Sequence, residues 1–191
     1  MRNLSVSPVM RRWVAACLML CAVASPVLAT EQIPDTIRID GDTRPLHSEP
    51  LGAWLDEAGH WATFRALFLA HRRGPCTANM RGYRADWNLQ DGRLLLQRIV
   101  RDACASDPPE VPLAKLFPGR DGPIEADWYN GTLLVPLGEA GENSHMGYST
   151  RYSRYAVIRI AAGREVERHE VTRDELDAQR QRERAERQAS P

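Results

Sequence analysis

Two aspartates occupy the same place in two similar phrases of this 191-residue chain: Asp86 in RADWNLQDGRLLL and Asp127 in EADWYNGTLLVP. A carboxylate pair can hydrolyse a glycosidic bond if the groups stand within about 5 to 10 Å across a cleft and burial raises one pKa. His145 offers a general base that Asp127 or Glu125 would orient. A different chemistry, binding rather than catalysis, is offered by GENSHMGYSTRYSRY, residues 141–155. Here His145, Tyr148, Arg151, Tyr152 and Tyr155 combine apolar area with polar tips, the composition of ligand and protein contacts.

The alternation around the aspartates argues against a catalytic pair. Tyr83, Ala85, Trp87 and Leu89 alternate with Arg84, Asp86 and Asn88, and Ile124, Ala126 and Trp128 alternate with Glu125, Asp127 and Tyr129. Neighbouring side chains of a strand point to opposite faces, so Trp87 and Trp128 are expected core anchors and Asp86 and Asp127 surface groups. Other motifs for catalysis are missing: the chain has no GxSxG and no HExxH. His47, His60 and His71 stand isolated, so neither a metal nor a cofactor is expected.

The elements that position these residues follow from the same periodicities. Asp91-Gly92 and Asn130-Gly131 read as hairpin turns. With a two-residue loop at the second, Trp128 faces Leu133 and Ala126 faces Val135. A third hairpin joins RYAVIRI to EVERHEV; a three-residue loop at Gly163 pairs Ile158 with Val166 and Arg159 with Glu165. A short strand, TIRID, comes first. EPLGAWLDEA and HWATFRALFLAHRR read as helices, with Trp54, Leu55, Trp61, Phe64, Leu67 and Phe68 at helical spacing. The expected fold is α+β: an antiparallel sheet of about six strands built from three hairpins, N-terminal helices and a charged C-terminal helix. Thr172 and Glu175 of TRDE form a capping box that opens this last helix. From Arg173 onward it holds five Arg and five acidic residues but only Leu176 and three Ala as apolar side chains. A solvated helix or disordered tail over 173–191 is therefore expected beyond a single domain at 30–172.

Arg11 and Arg12 precede the apolar run WVAACLMLCAVASPVLA, which reads as a signal peptide over residues 1–29 and places the mature protein in the periplasm or outside the cell. The run falls short of the roughly 20 apolar residues of a spanning helix, so no membrane anchor is expected after cleavage. The full chain carries 25 basic and 25 acidic residues. Loss of Arg2, Arg11 and Arg12 tips the balance towards acid, and nucleic acid is not an expected partner. Cleavage leaves Cys76 and Cys104, most simply one disulfide in an oxidising compartment. It would enclose the first hairpin and stabilise by about 3 to 4 kcal/mol.

The blocks RGYRADW, DGRL, LFPG, DWYNGTLLVPLG and HMGY, followed by a charged helix, resemble in this order a family of uncharacterised bacterial proteins. The resemblance covers roughly residues 35 to 188. The leader and the cysteine pair depart from the family pattern and suggest an exported branch. The resemblance implies no catalytic residue.

Two readings are open at this stage. One is a non-enzymatic exported protein, of inhibitor or immunity type, that meets another envelope protein or a small ligand through residues 141–155. The other is a small periplasmic hydrolase using His145 with an acidic neighbour.

Overall fold

The computed structural model describes residues 30–57, 59–70, 76–143, 147–148 and 150–189. The leader and His145 lie outside the described residues. The fold is α+β, with eight strands in one mostly antiparallel sheet: β1 Asp35–Ile39, β2 Asp42–Leu46, β3 Tyr83–Gln90, β4 Arg93–Arg101, β5 Ile124–Glu125, β6 Gly131–Asn143, β7 Thr150–Ala161 and β8 Arg164–Thr172. Spatial order is β2-β1-β3-β4-β8-β7-β6, with β5 paired to β4, and only β1 and β3 run parallel. Their crossover carries α1 (Pro50–Leu55) and α2 (His60–Phe64), which continues as a π-helical turn, Arg65–Leu69. The C-terminal helix α3 spans Arg173–Ala189.

The sheet curls until its edges meet. The His47 N–H donates to the Leu134 carbonyl at 2.9 Å, while the Ser48 hydroxyl accepts from the Leu134 N–H and donates to the Thr132 carbonyl. This seam joins the end of β2 to β6 and removes an edge that would otherwise invite another strand. The side between β4 and β8 is thinner. One residue pair, Arg93 with Arg164, makes the ladder there, helped by Leu94 N–H to Gly163 and Glu165 N–H to Gly92. Inside lie Ile37, Trp87, Leu94, Leu96, Ile99, Leu133 and Ile158, closed off by Leu51, Phe64 and Phe68 from the helices. Trp54, Leu55, Phe64 and Phe68 of the expected helical stripe are buried; Trp61 is exposed.

Strand number and two registers differ from expectation. Asp91 and Gly92 both have positive φ and close the β3–β4 hairpin, where Gln97 forms a bulge opposite the Asp86–Trp87 step. The second phrase makes no hairpin. Ile124 and Glu125 pair with Leu96 and Leu95 of β4, the chain turns at Ala126–Tyr129, and β6 pairs with β7. Trp128 therefore does not face Leu133, nor Ala126 Val135. Asn130 instead caps the tip of a neighbouring hairpin, where its side-chain oxygen accepts the Ala162 N–H and the Tyr129 carbonyl accepts that of Gly163. At Gly163 a β-carbon would come within 2.7 Å of the Ala126 oxygen, so only glycine fits between these two turns. The β7–β8 hairpin closes through Ala162 and Gly163, both at positive φ. Ile160 pairs with Glu165, Arg159 with Glu167 and Ile158 with Arg168, shifted from the expected register by a bulge that leaves Val166 exposed. The β1–β2 hairpin adds the strands that the three-hairpin scheme lacked, while the helices expected in this region lie between β2 and β3.

The two tryptophans differ. Trp87 is 2% exposed; Trp128 is only partly buried and stacks on Phe117, which leans on Trp54, itself stacked on His60. Asp86 is not a free surface group: it accepts from the Thr36 hydroxyl at 2.7 Å and from Arg98 at 3.3 Å. Asp127 is exposed, with Arg120 at 3.4 Å. The C-terminal helix is docked. Leu176 packs on Leu134 and Tyr155 from the outer face of the sheet, anchoring one end of a helix that is otherwise charged. Its capping box forms as expected: the Glu175 carboxylate accepts from the Thr172 N–H and hydroxyl, and the Glu175 N–H donates to that hydroxyl.

Asp35 is the polar centre of the interior. Its carboxylate is 0% exposed and accepts from the Ala85 N–H, the Trp87 indole N–H and the Arg81 guanidinium, at 2.9 to 3.1 Å. Burial pushes its pKa up, and the Arg81 charge with the N–H donors opposes that rise. A Cys76–Cys104 disulfide with Cα atoms 6.3 Å apart ties the segment bearing Arg81 to the end of β4.

Denaturant melts test these assignments. Asp35→Asn removes the charge facing Arg81 and should cost about 3 to 5 kcal/mol, as for one partner of a buried ion pair. Trp87→Ala should cost about as much, whereas Asp127→Asn should change stability by no more than about 0.5 kcal/mol. Replacing both Cys76 and Cys104 by Ser should lower stability by about 3 kcal/mol, and alkylation of the unreduced protein should label neither thiol.

Candidate binding groove

Four of the five residues singled out between 141 and 155 come together outside the barrel. Much of the aromatic segment is strand: residues 141–143 end β6 and 150–155 begin β7. Period two sends Tyr155 and Val157 to the outer face while Ala156 and Ile158 enter the core. On that outer face α3 leans against the sheet through Leu176, leaving a groove of about 360 Å³. Tyr148, Arg151 and Tyr155 line it, and Tyr152 packs beside Tyr155 with its N–H donated to the Tyr155 hydroxyl.

His47, Arg180 and Arg184 are among the contributors from outside the singled-out segment. His47 enters from the end of β2 at the barrel seam, its ring stacked on Tyr148 with centroids 5.1 Å apart and edge-on to Tyr152. Arg180 and Arg184 reach in from α3. His47 is fixed by the hydrogen bond that closes the barrel, and the two arginines are four residues apart, on one helix face. Periodicity within α3 could have shown Leu176, Arg180 and Arg184 as one stripe. No local signal could have placed His47 there, because it arrives through the closure of β2 on β6.

Electrostatics give the groove a sign. Four arginines, Arg151, Arg173, Arg180 and Arg184, face a single acid, Asp177. Arg151 shares Asp177 at 3.5 Å and Arg173 lies 3.5 Å from its own neighbour Asp174. Arg180 and Arg184 make no ion pair or hydrogen bond among the described residues. The base is tied to the interior: the Tyr148 hydroxyl donates to Glu49 at 2.7 Å, and Arg81 lies over the rings of Tyr83 and Tyr148. Burial pushes the Tyr148 hydroxyl well above its ordinary pKa, so it stays a proton donor. Glu31 holds the start of β7, accepting from the Thr150 N–H and hydroxyl.

His145 lies outside the described residues, so only the acids expected to orient it are placed. Glu125 and Asp127 lie beside the Gly131 end of β6, next to Arg93, Arg164 and Arg120. Asp86 sits on β3, paired with Arg98 of β4. Among the described residues no group of three or more His, Cys, Asp or Glu could hold a metal.

His47 makes the groove sensitive to acid. Burial lowers its pKa to about 4, Glu31 opposing and Arg180 adding to the shift. The unfolded chain, with a His pKa near 6.5, takes up the proton first, so stability is complete above about pH 6.5 and declines as pH falls towards 4. Allowing for partial solvent screening, the loss should reach about 2 kcal/mol. His47→Phe keeps the ring on Tyr148 and should flatten this part of a stability curve measured from pH 7 to pH 4.

No protein-family model matches the chain, and neither a curated protein nor a solved structure matches it.

Proposed function

We propose that this chain is an exported binding protein, of inhibitor or immunity type, that uses the groove between α3 and the outer face of β6–β7 to hold a segment of another envelope protein. The observation that carries the reading is the pair Arg180 and Arg184, which make no ion pair or hydrogen bond among the described residues, beside an aromatic base. Guanidinium groups that no described residue engages are open to the carboxylates of a bound partner. The barrel interior is filled by side chains, which directs recognition to the outside. The disulfide suits an oxidising compartment, consistent with removal of a leader over 1–29 and a periplasmic or secreted protein. No catalytic step and no cofactor enter this reading.

Capture from an envelope extract tests it. The purified protein should retain a partner that mass spectrometry identifies, and recombinant partner should co-sediment with it. Arg151→Glu combined with Arg180→Glu should abolish retention while leaving the circular dichroism melt within about 1 kcal/mol of the parent. N-terminal sequencing of the same preparation should begin at Thr30. Retention unchanged by the two substitutions would remove the groove from the function.

A further inference from the structure

Taking the groove as the binding face, the spacing of its charges specifies what the partner presents there. Arg180 and Arg184 are separated by about 6 Å along the helix axis, at 1.5 Å per residue. In an extended chain, side chains two residues apart lie on the same side about 6.5 to 7 Å from one another. Arg173 continues the row, and from Arg173 to Arg184 the helix advances by about 16 Å, the length of about five extended residues. The facing wall is different in kind: Tyr148, Tyr155 and His47 give rings with polar tips.

We infer that the groove receives an extended acidic peptide segment with carboxylates at alternating positions, laid along α3 with its acids on Arg180 and Arg184 and its intervening side chains on the aromatic wall. A single small anion would engage one guanidinium and leave the others unmatched. A long polyanion such as nucleic acid is disfavoured because the cationic row is local and the chain as a whole has equal numbers of acidic and basic residues. An extended peptide matches both the length of the row and its chemistry, since guanidinium forks donate to carboxylates in pairs of hydrogen bonds.

Fluorescence anisotropy with labelled synthetic peptides decides this. One peptide carries glutamate at every second position among serines; another carries the same number of glutamates at every third position; a third has glutamine in place of glutamate. The purified protein should bind the first saturably, about fivefold more weakly the second, and the glutamine peptide not at all. Raising salt from about 0.05 M to about 0.3 M should weaken binding severalfold. R180E/R184E should weaken it at least tenfold, and R182E, on the same helix but outside the groove, should leave it unchanged. Absence of saturable binding to the alternating peptide, or equal binding by R180E/R184E, overturns the inference. So does binding to anionic phospholipid vesicles or inorganic phosphate that depends on Arg180 and Arg184 when the peptide fails. If an envelope partner is still retained through the groove while the peptide does not bind, the acidic class is wrong and the binding function stands; if retention is also lost, both fall.

Discussion

A carboxylate with no access to water sits where the first strand of the barrel begins, and the architecture is arranged around satisfying it. Asp35 belongs to β1, yet its three donors come from β3 and from the segment leading into β3. A parallel pair such as β1–β3 has no short turn to set its register. The Asp35 contacts set it instead: sliding β3 by a single residue would remove the Ala85 and Trp87 donors together and leave a buried charge without partners. Trp87, the largest of the fully buried side chains described, is thereby oriented by a polar contact as well as by packing.

The same centre reaches the groove beside α3. Arg81 neutralises Asp35, lies against Tyr83 and Tyr148, and is 3.6 Å from Glu49, which also holds the Tyr148 hydroxyl. Tyr148 in turn carries the His47 ring. An internal ion pair and the outer groove thus share one chain of contacts, braced on the far side by the Cys76–Cys104 link. Rigid aromatic anchors on a braced base lose little freedom when a ligand arrives, which favours binding.

Local signals are readable in the sequence and long-range ones are not. The β3–β4 hairpin, the capping box at Thr172 and the buried face of α1 and α2 each depend on residues within a few positions of one another, and each forms as its pattern implies. Asn130-Gly131 carries the same local signal as Asp91-Gly92 and misleads because its partner is distant: the tip of β7–β8 needs an acceptor, and Asn130 supplies it. The docking of α3 is hidden for a related reason. A single apolar residue, Leu176, suffices when Leu134 and Tyr155 already form an outer apolar patch, but the outward faces of their strands carry no local sign of a neighbour. Of the groove, Tyr148, Arg151, Tyr152 and Tyr155 are visible as a cluster in sequence, whereas His47 joins them only through the seam.

That seam also dictates the order in which the molecule can be completed. Ser48 and Thr132 are separated by 84 residues, and Glu31 and Thr150 by 119. In contrast, the β6–β7–β8 meander with α3 is stitched by neighbours in sequence. The meander of neighbouring strands is thus closed by local contacts, while the outer edge of β1 and β2 meets β6 only across 84 residues of intervening chain. Until then each half-barrel shows water an apolar concavity that the finished protein hides. By their sequence separation, the hydrogen bonds of Ser48 belong to the contacts expected to form late, when closing the sheet hides apolar surface that an open sheet would show to water.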